Sequence, residues 1–155
     1  MIYYGDEAGM WGGDDPDNRK SMVWPELKYE NETYSTVTKF TDSDPVAFDR
    51  EIFDFYKQIL HLCQRHPALR KGAITTLQKN AAAGIYAFRR DFENATMIAA
   101  FNISSQAQEV VLDIASSEKR LFREAVSKRI STLQDSKLQI KIESRSATIF
   151  EIINQ

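Results

Sequence analysis

From residue 73 onward, short apolar runs alternate with polar punctuation, and this pattern constrains the chain more than any other feature. Candidate strands cover 73–78, 84–90, 96–102, 109–114, 138–142 and 147–153, with a further one near 121–125. The breaks between them fall at Asn80, the 91–94 segment, Ser104-Ser105, Ser116-Ser117 and Asp135-Ser136, residues that turns favour for conformational reasons. Several short strands at this spacing predict an antiparallel sandwich, whose two inner faces can bury each other. With 155 residues the chain is long enough for one ordinary domain or for two small pieces.

Upstream the texture changes. Phe48, Ile52, Phe55, Ile59 and Leu62 recur at spacings of four and three, which predicts a helix from about Asp44 to His66. Asp44 is placed to cap it and Pro45 suits its first position, while Pro67 should end it. Phe53, Tyr56, Leu60 and Cys63 broaden the apolar stripe beyond an ordinary amphipathic face, so the helix requires a substantial partner surface. If that surface is missing, the chain is expected to form a homo-oligomer through the helix. Residues 1–44 hold one strand-like stretch, 1–4, followed by a long loop rich in glycine, aspartate and aromatics. One strand, one loop and one helix make a single βα unit, which cannot build a core alone. It is expected to belong to a larger α/β body.

Composition excludes several classes of function. The chain is 43% hydrophobic and 11% aromatic, as globular proteins are, and its 20 basic and 22 acidic residues leave a formal charge of −2. Without a basic stripe, nucleic acid is not an expected partner. Apolar runs such as 97–101 are too short to span a bilayer, and Gly5, Asp6, Glu7 and Gly9 break the opening segment where a signal peptide would be continuous, so neither a membrane partner nor a compartment is assigned. The single cysteine, Cys63, lies within the helical pattern and reads as a small hydrophobe.

Few residues suggest chemistry by spacing alone. Gly12-Gly13-Asp14-Asp15-Pro16-Asp17-Asn18 is rich in oxygen ligands, yet lacks EF-hand spacing and reads as a turn, so no metal is assigned. Asp6 and Glu7 are adjacent. On a strand they would point to opposite faces, and they are expected to bond to backbone or a neighbouring base. His61 and His66 are five apart and do not share a helix face. A helix-terminal cap is expected for His66. There is no nucleophile elbow, phosphate loop or zinc spacing, and no organic cofactor is implied.

Ile2-Tyr3-Tyr4-Gly5-Asp6-Glu7-Ala8-Gly9-Met10, then Asp15-Pro16-Asp17-Asn18-Arg19 and Met22-Val23-Trp24, resembles the last barrel strand and following loop of the alpha-amylase superfamily, nearest its neopullulanase and cyclomaltodextrinase branch. Tyr56, Lys57, His66-Pro67-Ala68-Leu69 and Gly72 resemble that family's final barrel helix and its lead into a C-terminal β domain. The resemblance implies a mixed fold: residues 1–71 as the last βα unit of a (β/α)₈ barrel, and 72–155 as an all-β antiparallel sandwich. It implies retaining hydrolysis of alpha-1,4 or alpha-1,6 glucosidic bonds in maltodextrin, cyclodextrin or pullulan, by two carboxylates about 5 Å apart. In the family those carboxylates precede this stretch. No catalytic residue is therefore assigned here, the missing N-terminal barrel becomes an expected partner, and the chain alone should be inactive. By the same resemblance Asp17 and Arg19 would hydrogen-bond an alpha-glucan oligosaccharide, with Trp11 and Trp24 as stacking surfaces. The alternative reading is a free-standing β module that holds a glucan without cutting it, through Tyr86, Phe88, Tyr3, Trp11 and Trp24.

Overall fold

A computed structural model describes residues 2–12, 18–32, 44–114, 121–127, 130–132 and 136–153. The chain divides into two compact units, Met1–His61 and Leu62–Gln155, and antiparallel sheet dominates over helix.

The second unit contains eight strands: β1 (Ala73–Asn80), β2 (Ile85–Phe92), β3 (Ala95–Asn102), β4 (Gln108–Asp113), β5 (Leu121–Glu124), β6 (Ile130–Thr132), β7 (Lys137–Ile142) and β8 (Ser146–Ile153). They form a six-stranded sheet in the order β1-β2-β3-β8-β5-β6 and a two-stranded sheet, β4-β7, all pairs antiparallel. The small sheet shows how sequence sets the register. In β7, Lys-Leu-Gln-Ile-Lys-Ile alternates exposed and buried positions without a break. Leu138 and Ile140 sit opposite Leu112 and Val110 of β4, so a slip of one residue would turn every apolar side chain to water. These residues join Ile85, Ala87, Ile98, Ala100, Phe122 and Phe150 of the large sheet in one buried cluster. The two sheets thus form a sandwich, and each large side chain it buries contributes about 1.5–3 kcal/mol.

The outer face of the large sheet is partly covered as well. Helix α2 (Pro67–Lys71) packs over β2 and β3, which explains why Met97, Ile98, Ala99 and Ala100 are buried in succession instead of alternating. Arg90 fastens the helix exit by donating from Nη2 to the Gly72 carbonyl at 2.7 Å.

Asn102 is the main buried polar group. Its Nδ2 donates to the carbonyls of Gln106 at 2.7 Å and Glu143 at 2.9 Å, and its Oδ1 accepts from the Ser104 amide and hydroxyl. One side chain thereby ties the β3–β4 turn to the β7–β8 turn.

The preceding helix, α1 (Arg50–Arg65), starts later than its periodicity predicts. Asp44 does not cap it. Both backbone polar groups of Asp44 bond to Glu32 in an isolated antiparallel bridge, which commits the residue to extended geometry. Asp49 caps instead, its Oδ1 accepting from the Ile52 amide at 2.9 Å. Phe48 and Phe53 flank this cap with ring centroids 5.2 Å apart, a hydrophobic staple that fixes the entry of the chain. Pro67 separates α1 from α2 as expected, with His66 extended before it. His66 makes no side-chain cap; its Nδ1 lies 3.8 Å from Glu151.

The strand expected at 1–4 is not observed over its described residues, 2–4. A parallel strand takes all its ladder bonds from neighbours, and no described strand lies beside this segment. Over the described residues of 1–71 the elements are a 3₁₀ turn and two helices, without the strand that the expected βα unit requires.

Candidate functional site

The first unit is organised around a turn. Asp6–Ala8 forms one 3₁₀ turn between Gly5 (φ 89°) and Gly9 (φ 68°). Both positive φ values favour glycine, and a Cβ at Gly9 would also meet Asp49 Cβ at 2.7 Å, so that site requires glycine twice over. Asp6 accepts from the Tyr3 amide at 2.9 Å and Glu7 from the Gly5 amide at 3.1 Å. The adjacent carboxylates therefore hold the turn and do not converge as a catalytic pair.

Four residues were expected to touch sugar. Asp17 lies outside the described residues. Arg19 is exposed. Trp11 is half-buried and held at both ends: its Nε1 donates to the Pro45 carbonyl at 3.3 Å, and the Lys20 ammonium sits 3.7 Å from its ring centre. Lys20 is itself ion-paired with Glu32, and its carbonyl accepts from the Tyr4 hydroxyl. A sugar stacking on that face of Trp11 would have to displace the lysine. The space beside Trp11, Met10 and Val23 is about 10 Å³, room for a water at most. Trp24 is different. Its amide is anchored to the Tyr29 hydroxyl at 2.7 Å, and its side chain is 54% exposed.

A larger cleft, about 400 Å³, opens in the same unit among Pro25, Leu27, Lys28, Tyr29, Phe48 and Arg50. Sequence reading missed it, because Phe48 counted as the first residue of the helix stripe when it is in fact the staple ahead of the cap. The spacing Phe48-x-Arg50-x-x-Phe53 was the available signal: the Arg50 guanidinium lies 5.1 Å from the Phe48 ring centre and 5.8 Å from that of Phe53.

In the second unit, β2 and β3 carry an outward aromatic ledge. Tyr86 is directly opposite Phe101, and Phe88 stacks on Phe101 at 6.0 Å and 23°. Tyr86 and Phe101 are both more than a third exposed, and the Tyr86 hydroxyl lies 3.4 Å from that of Thr76. Among the described residues no group of three or more histidine, cysteine, aspartate or glutamate side chains is placed to hold a metal. No helix among them is long and apolar enough to cross a membrane.

Comparison with known proteins places this geometry. Residues 72–150 match the model of the alpha-amylase C-terminal domain. The cyclomaltodextrinase of Thermoanaerobacter pseudethanolicus is 29% identical over 132 residues, covering 85% of this chain and 19% of that protein. Neopullulanase 2 of Thermoactinomyces vulgaris is 32% identical over 117 residues, covering 76% of this chain and 17% of that one. The alpha-amylase of Geobacillus thermoleovorans, solved in complex with acarbose, superposes with a TM-score of 0.75 at 25% identity over 99% of this chain and 29% of its own. The chain spans about a fifth of the length of these curated relatives. These matches show that the chain, with its β sandwich, belongs to the alpha-amylase C-terminal domain family, among relatives that are cyclomaltodextrinases and neopullulanases.

Proposed function

We propose that the chain is the terminal portion of a retaining glycoside hydrolase acting on alpha-1,4- or alpha-1,6-linked glucans. Residues 1–71 supply the end of its catalytic barrel and 72–155 its β domain. The observation that carries this reading is the extent of the cyclomaltodextrinase match. At 132 residues it is longer than the stretch from Gly72 to Gln155, so it runs well into the loop and helix that precede the β domain. The catalytic carboxylates lie on earlier strands of such a barrel, and Asp6 and Glu7 are bonded to backbone. On this reading the chain alone does not hydrolyse glucans, while Asp17, Arg19, Trp11 and Trp24 contribute to a sugar subsite in the whole enzyme. The purified 155-residue chain should release no reducing sugar from maltoheptaose, cyclodextrin or pullulan. Turnover that survives repurification would overturn the proposal.

A second reading is supported by the ledge of Tyr86, Phe88 and Phe101: a β module that holds a glucan by stacking alone. Titration with maltoheptaose separates the two readings. A module binds without a barrel and loses binding in Tyr86→Ala and Phe101→Ala, whereas a ledge that serves only in packing leaves no binding to lose.

A further inference from the structure

The cleft of the first unit has a charge pattern that a neutral glucan does not answer. Its walls are apolar and aromatic, from Pro25, Leu27, Tyr29 and Phe48, and its charged side chains among the described residues are Lys28 and Arg50, with no carboxylate among the described lining residues. Neither cation forms an ion pair with a described residue. Arg50 is steadied over two aromatic rings, and Tyr29 is steadied through the hydroxyl that accepts from Trp24. A volume of about 400 Å³ lies within the range of small-molecule sites. Aromatic walls suit the apolar face of a pyranose, and a guanidinium and an ammonium lining the same cleft suit a phosphate dianion.

We propose that this cleft binds a glucosyl phosphate, a pyranose bearing a phosphate monoester, with Lys28 and Arg50 holding the phosphate and Tyr29 the ring. The sugar half rests on the glucan reading; the phosphate half rests on the two cations. The test is calorimetric titration of the full 155-residue chain with glucose 6-phosphate, glucose and inorganic phosphate. Glucose 6-phosphate should bind at least about tenfold more tightly than either of the others, and less tightly as salt is raised. Lys28→Gln and Arg50→Gln should each weaken it about tenfold, with Arg50→Lys retaining part of the affinity. A phosphorylated maltooligosaccharide, titrated in parallel, tells an ester carried on a glucan from a free sugar phosphate. Equal binding of glucose removes the role of the cations, and equal binding of inorganic phosphate reduces the cleft to a general anion site. No binding, or binding indifferent to both substitutions in variants with unchanged circular dichroism, also overturns the proposal. The hydrolysis assay plays no part in this titration, so either idea can fail without the other.

Discussion

The two units are built from similarly apolar sequence yet differ in what they bury. Among the described residues, the fully buried apolar side chains of the first unit are Ala8 and Val23, both small. The second unit buries Phe122, Phe150, Val110 and a series of leucines and isoleucines between facing sheets, and Met97 on the outer face of the larger one. Meanwhile Tyr3, Trp24, Leu27, Ile52, Phe55 and Leu60 of the first unit are exposed. Apolar content does not make a core. Burial requires a second layer, and the sandwich carries its own while a turn, a loop and a helix do not.

That contrast can be tested most severely by removing an aromatic ring from each unit. Phe122→Ala should destabilise the chain by about 3–5 kcal/mol in denaturant titration, because its cavity is walled by two sheets, while Phe55→Ala should cost less than about 1 kcal/mol. Similar losses at both sites would show that the helix is covered in solution. Next in size, Asn102→Ala strands the carbonyls of Gln106 and Glu143 and should cost about 2–3 kcal/mol by the same measurement. An effect below about 1 kcal/mol would mean that water replaces the amide easily and that the two turns are not held by it. The smallest effect concerns association. We expect the wild-type chain to self-associate through Ile52, Phe55 and Leu60, and the pair Ile52→Glu and Phe55→Glu to return it to a monomer in light scattering, with little change in stability. A wild type that stays monomeric at high concentration would remove the helix face as an interface.

How far the sequence reveals the structure follows the same division. The strand series was legible because alternation is a local signal that survives whatever lies opposite. β7 and β4 read directly as inward and outward residues, and the separation of α1 from α2 followed from Pro67. β6 was not foreseen, since three residues with one apolar position carry no period. The helix start was misplaced because Asp44-Pro45 and Asp49 offer similar capping chemistry. The choice was made by a bridge to Glu32, twelve residues upstream, that no local pattern encodes. The same distance effect governs the site. Trp11 and Trp24 are equivalent by residue type, yet Lys20 covers one, while a backbone bond to Tyr29 leaves the other open. The cleft at Tyr29, Phe48 and Arg50 was illegible for a further reason: its walls come from two segments, 25–29 and 46–50, that lie far apart in sequence.

The position of β8 bears on how such a sheet can be assembled. The last strand in sequence is central in the large sheet, with β3 on one side and β5 on the other. A nascent chain that has exposed everything up to β7 holds only two disconnected halves, β1-β2-β3 and β5-β6, with an open slot between them. Completion must await synthesis of β8, and the pairing it makes with β3 closes a long loop, which slows folding. A chain cut before β8 would therefore lack the piece that joins the sheet, leaving two unpaired strand edges exposed to aggregation.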